Sequence, residues 1–303
     1  MIRIARGNKR VKSAALRRGW TRLGVGAASA ALTAATLAVA APADASPINA
    51  ARAGAAEASP TSTLYLHLHA MPVGTVRFGR DRYHRLTVRA VTHGLTPGSS
   101  HTVELLLPGR HGVVRFTPLV ANSVGQARTT LTSSYTGRWW RWSRLVIRMG
   151  VGSSSLSRRP IAETALLRHA GTHPHLLISV EYGSGGAFYG TPRGVATISY
   201  SPRQQTLTVT VTASGVTPGP HAAHIHLGSC YSQGPVKYML EDLVANRRGQ
   251  IVHAVRVFTN VTKPIPAHGW YLNIHQGNSS NILSNGNPTI YFRPLLCSDI
   301  YGH

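Results

Sequence analysis

Acidic side chains are scarce in this chain: nine Asp and Glu stand against 32 Lys and Arg in 303 residues, a formal net charge of +23. Paired-carboxylate hydrolysis needs two acids held against one bond, and so thin a supply argues against it. Cysteine is scarcer still, with Cys230 and Cys297 alone. That excludes a disulfide-dense scaffold and any zinc motif built on four thiolates. No nucleophile motif, Gly-rich phosphate loop or metalloprotease helix occurs. Beyond the first 45 residues no segment keeps a 3.6-residue apolar period, so helical folds are excluded as well. Recognition-helix and aromatic RNA-binding motifs are absent and the bases are scattered singly, which leaves no specific nucleic-acid reading.

What is present begins with an export signal over residues 1–45. Eight Lys or Arg lie between Arg3 and Arg22 with no acid among them, followed by a mildly apolar segment, Leu23–Ala41, and a small-x-small cleavage site at Ala43-Asp44-Ala45. Arg17-Arg18-Gly19-Trp20 resembles a twin-arginine signal, and an ordinary secretory signal fits too. The Ala and Thr content makes a poor stable membrane span. The expectation is a bacterial protein that is secreted or held in the cell envelope, and still cationic after cleavage. Such a surface attracts anionic envelope polymers and small anions. In that oxidising compartment the two cysteines are most simply a disulfide closing a 67-residue loop, worth about 4 kcal/mol in the chain-entropy model; the alternative is two free thiols.

Residues 46–62 read as an Ala-, Pro-, Ser- and Thr-rich linker. Beyond them the chain repeats itself. Leu86–Gly98 (LTVRAVTHGLTPG) matches Leu207–Gly219 (LTVTVTASGVTPG), Leu119–Gln126 matches Leu243–Gln250, and Leu145–Gly150 aligns with Leu272–Gly277. Short alternating segments separated by Gly, Pro, Asn and Ser predict an all-β chain of two tandem Greek-key β-sandwiches, over 63–168 and 169–303, with the boundary in Arg168–His175.

Chemistry concentrates in the second copy. In Pro218-Gly-Pro-His221-Ala-Ala-His224-Ile-His226, an extended backbone puts His224 and His226 on one face with Ile225 on the other. His275 sits in a further apolar strand, Gly269–Gly277. Three neutral imidazoles from two strands suit copper or zinc, and a fourth position open to water would make the ion reactive. His221 is placed to orient a ligand as a neighbour. At the offset of the repeats, the first copy holds Val103, Leu105 and Arg148 where the second has His224, His226 and His275, so the fold itself does not require the imidazoles.

Pro-His-x-x-His-x-His followed by a cysteine, a later strand with a lone histidine, and Arg293-Pro-Leu-Leu-Cys297 near the end resemble the copper/zinc superoxide dismutase family over residues 176–303, with a decayed version over 63–168. The strand Gly269–Gly277 also looks like its counterpart in CHRD (chordin-type) domains. The dismutase resemblance implies a superoxide dismutase-like sandwich, copper on His224, His226 and His275, His221 behind them, a Cys230–Cys297 disulfide, and Arg293 guiding superoxide. Tyr231–Val252 contains no histidine, so the family's zinc subsite and bridging ligand are absent, and Arg293 stands one residue further from its cysteine than the family pattern has it. The alternative implied function is a non-enzymatic CHRD-type envelope module using a basic, Trp-containing surface around Arg138–Arg144 (RWWRWSR). A second His-x-His, His67 and His69, alternates with leucines and reads as a solvated strand face. His169, His173 and His175 fall in the boundary segment, where they could scavenge metal.

Overall fold

The structure, a computed structural model, describes residues 61–109, 112–139, 142–167, 175–183 and 186–302. The expected export signal, almost all of the expected 46–62 linker, and residues 168–174 at the expected domain boundary, with His169 and His173, lie outside them. Every long element is a strand. In chain order they are β1 (Ser62–Ala70), β2 (Val73–Arg80), β3 (Leu86–His93), β4 (Val103–Leu106), β5 (Val113–Arg115), β6 (Ala127–Thr132), β7 (Arg144–Arg148) and β8 (Pro160–Glu163). Then come β9 (His175–Ser179), β10 (Arg193–Ser201), β11 (Thr206–Ser214), β12 (Gly219–Ser229), β13 (Ser232–Ala245), β14 (Gln250–Phe258), β15 (Trp270–His275) and β16 (Pro294–Ile300).

They form two curled eight-stranded sheets, in the orders β5-β4-β7-β8-β9-β2-β3-β6 and β13-β12-β15-β16-β1-β10-β11-β14. Period-two alternation makes each one: Leu207, Val209, Val211 and Ala213 are buried while the intervening threonines face out, each buried aliphatic side chain worth about 1.5–3 kcal/mol. In the second sheet, Arg256 of β14 donates to the carbonyls of Leu240 and Asp242 on β13 (2.6 and 2.8 Å), drawing its two edges together.

The two orders are the same once strands are matched position by position, and the repeated stretches of sequence fold alike. Gly94 and Gly215 both take positive φ (+75° and +77°), where a β-carbon would sit 2.4 Å from Met71 Cε and 2.8 Å from the Thr191 carbonyl. The next residue donates to a second glycine in each case, Leu95 to Gly125 (3.0 Å) and Val216 to Gly249 (3.3 Å). Asn122 and Asn246 each fold their loop by accepting two backbone N–H groups.

Sheet membership does not follow chain order. β1, the first strand of the N-terminal half, lies between β10 and β16 in the C-terminal sheet, paired from Ser62–Tyr200 to Leu68–Gly194 on one side and at His69–Cys297 and Ala70–Leu296 on the other. Its counterpart, β9, lies between β8 and β2 in the N-terminal sheet. The halves have exchanged their first strands. Period-two alternation satisfies β1 equally well in either sheet, because it needs only one buried face.

Residues 180–303 produced alone would lack β1 and leave the edges of β10 and β16 open. We expect that fragment to show no near-ultraviolet circular dichroism and no dispersed amide spectrum until a peptide spanning residues 61–71 is added. Cooperative folding without the peptide would show that the exchange is dispensable.

Candidate metal centre

β12 and β15 are neighbours, and their register sets His224 opposite Asn273 and His226 opposite Tyr271. Ala223, Ile225, Leu272 and Ile274 turn into the hydrophobic core, which leaves the imidazoles on the other face. There His224, His226 and His275 each offer one nitrogen, all within 4.8 Å of one another. His224 Nδ1 is 3.3 Å from His275 Nε2. A tetrahedral ion with bonds of 2.0–2.1 Å holds its ligand nitrogens about 3.3 Å apart, so this pair already has a metal's spacing, while the cluster as a whole is wider.

Hydrogen bonds select the nitrogens. His226 Nδ1 donates to the Gly234 carbonyl (2.9 Å) and His275 Nδ1 to the Phe292 carbonyl (2.6 Å), leaving the Nε2 lone pair of each ring for the cluster. Nε2 of His226 is buried with no partner. A buried acceptor left unpaired costs about 1–3 kcal/mol, and a metal ion would satisfy it. Tyr271 stacks on His226 (5.0 Å, 16°), and Phe292 covers His275 at 4.7 Å. The three rings are only 4%, 3% and 0% exposed. Burial first, and then the neighbouring His224 ring, push the His275 pKa down to about 3; burial and the His226 ring push His224 down to about 4, and burial lowers His226. Neutral imidazole is the form that binds a metal.

His221 lies behind the cluster. Its Nδ1 donates to the carbonyl of His275 (2.9 Å), and its Nε2 is 2.7 Å from the Thr217 carbonyl. The N-terminal sheet has the same bond: buried His101 donates from Nδ1 to the Arg148 carbonyl (2.9 Å). Pairing of Val103 with Ile147, against Ala223 with Ile274, moves the correspondence by one residue from the sequence alignment. Glu104, Leu106 and Arg148 thus stand at the places of His224, His226 and His275, and His101 at that of His221. A ring-to-carbonyl brace in both halves belongs to the fold; only the second half adds imidazoles to it. His101 escaped the sequence reading because the loop before it, Pro97-Gly-Ser-Ser, is one residue longer than Pro218-Gly-Pro.

Arg293 lies elsewhere than beside an open anion path. Its guanidinium is bonded to the Glu181 carboxylate and to Gln276 Oε1 (2.5 Å), and Nη1 is 3.4 Å from the Met71 carbonyl. Arg293 and Glu181 have side chains only 2% exposed. Met71 follows β1 and Glu181 follows β9, so this one side chain reaches both segments that carry exchanged strands across. Its backbone flanks the cluster: the Arg293 carbonyl accepts from Gln276 N (2.8 Å), next to His275. The cysteines form the expected disulfide, Cys230–Cys297, joining β16 to the turn after β12 and packing with Met71 and Tyr271.

The remaining candidates separate. His67 and His69 are exposed on the outer face of β1, between buried Leu64, Leu66 and Leu68. Trp139 is buried at 4.2 Å from Phe78, so it serves the core and not an aromatic binding surface. Trp142 is exposed, and Trp140 and Arg141 lie outside the described residues. No helix among the described residues is long and apolar enough to cross a membrane.

A family model of the CHRD domain matches residues 186–281, which include β10–β15 and all three histidines. No curated protein matches the chain.

Two outcomes are expected. Truncating one partner of a buried ion pair costs about 3–5 kcal/mol, while replacing both by apolar groups is far cheaper. Glu181→Gln should therefore lower the urea midpoint strongly, and Arg293→Met/Glu181→Leu should recover much of the loss; equal midpoints for wild type and Glu181→Gln would show the pair to be inert. For metal-free protein, the three rings are neutral when folded and titrate near 6.5 when unfolded, so acid favours the unfolded chain. Stability should be level above about pH 6.5 and fall below it, by about 1.4 kcal/mol per pH unit for each titrating ring, with buried His101, also pushed down to about 4, adding to the slope. Denaturant melts at a series of pH values measure it, and a flat profile through this window would refute the depressed values.

Proposed function

We propose that this chain is an exported, non-enzymatic binding module of the CHRD type whose C-terminal half holds one metal ion, copper before zinc, on His224, His226 and His275. The observation that carries it is the buried cluster of three neutral nitrogens, one of them without any other partner. Bound copper would supply a one-electron couple, whereas zinc would supply none. The chain's own residues favour retention: Gly234 and Phe292 fix the tautomers, and Tyr271 and Phe292 cover the rings. The cationic surface draws the module to anionic envelope polymers. Superoxide dismutation, suggested by the likeness to the dismutase family, asks in addition for a route by which an anion reaches the ion. Arg293, the residue that would draw it in, is committed to Glu181, and this favours a carrier or structural ion over turnover.

The test is metal content after loading the mature protein with copper or zinc and removing excess. One equivalent in the wild type, lost in His224→Ala/His275→Ala together with the heat stability it confers, is the expected result. No retained metal in the wild type would overturn the assignment. Retained copper with rapid superoxide dismutation abolished in the variant would overturn the non-enzymatic part alone.

A further inference from the structure

Of the three places in the N-terminal sheet that correspond to the histidine cluster, Leu106 fills one and charged side chains hold the other two. Glu104 and Arg148, at the positions of His224 and His275, form an ion pair (2.6 Å), and Arg115 of the edge strand β5 joins the same carboxylate (3.2 Å). These residues, with Arg158, Ser153 and Ser157, line a cleft of about 610 Å³. Glu104 is the sole acid among the lining residues, and its two oxygens are divided between two guanidiniums. Arg158 is bonded only to backbone carbonyl oxygen, that of Ser153, and the Arg158 carbonyl accepts from Arg148 Nη1 (2.5 Å). Three cations therefore surround one anion, and the cleft keeps a surplus of two positive charges.

We propose that this cleft is an anion site for a tetrahedral dianion of the phosphate class, either free or carried on a polymer. Arginine suits it: a guanidinium presents N–H groups in a rigid fork that meets two oxyanion oxygens at once, and it never loses its charge. Glu104 holds Arg148 and Arg115 in place in the absence of ligand, as a partly buried carboxylate (8% exposed) whose own charge they balance. The wall segment Gly152–Arg158 supplies exposed Ser153, whose hydroxyl group can donate, while the Ser157 hydroxyl is taken up by the Ser154 carbonyl (3.0 Å). The same pair of strand positions thus serves a cation in one half and an anion in the other. This inference does not rest on the metal assignment, and none of its residues belongs to that site.

Binding of inorganic phosphate and of long-chain polyphosphate to the mature protein, followed by calorimetry at fixed salt, tests it. Arg115→Gln/Arg158→Gln, at two exposed positions, should weaken phosphate binding by about tenfold or more, while Glu104→Gln should tighten it by releasing two guanidiniums. Arg89→Gln/Arg128→Gln removes the same charge from the outer face of β3 and β6, away from the cleft, and should leave binding unchanged. Equal affinity per site for phosphate and polyphosphate would make the ligand a free oxyanion; binding of the chain alone would make it polymer-borne. Equal weakening by both Arg double variants, with circular dichroism unchanged, would assign the effect to diffuse charge and overturn the proposal. So would a wild type that binds neither probe.

Discussion

A buried guanidinium against a buried carboxylate holds this molecule together at its crossing point. Arg293 and Glu181 are almost wholly out of water, where each alone would be prohibitively expensive, and they are tolerable only because they meet. The pair sits where β1 leaves the second sheet and β9 leaves the first. Ser179 adds a bond from its hydroxyl to the Pro72 carbonyl (2.5 Å), so the two crossing segments are tied to each other as well as to Arg293. His275 is the residue before Gln276, which bonds Arg293, and takes its orientation from Phe292, the residue before Arg293. The histidine cluster is therefore built against the same joint that interlocks the halves.

Much of this was legible in the chain. Alternation in Leu207–Ala213 and Leu64–Leu68 marked strands and their buried faces, the repeated Gly-x-Thr-Pro-Gly and Leu-Val-Ala-Asn motifs became equivalent turns, and His224, His226 and His275 came together as their period-two placement implied. The exchange of β1 and β9 was not legible, because alternation reports which face is buried and is silent about which strand lies alongside. The role of Arg293 was also hidden. Its partner carried a signal, since Glu181 is the lone acid between Glu163 and Glu241, and an isolated acid in so cationic a chain invites a search for the base it neutralises.

The two halves illustrate how one framework is put to different uses. The histidine-to-carbonyl brace, the glycine turns and the Asx loops recur in both. The side chains that vary stand on the faces of β4, β7, β12 and β15 turned away from the hydrophobic cores. There, imidazoles gather in one half and an ion pair with surplus arginine in the other.

The exchange also fixes the order in which the molecule can be completed. β1 is made well before its partners, Gly194–Tyr200 and Leu296–Cys297. Contacts of such long sequence separation form slowly, and β1 must wait, unpaired, until β16 has been made. The N-terminal sheet waits too, until β9 arrives to close the gap between β8 and β2. Neither half can finish before the other has begun, so the chain folds late and as one piece.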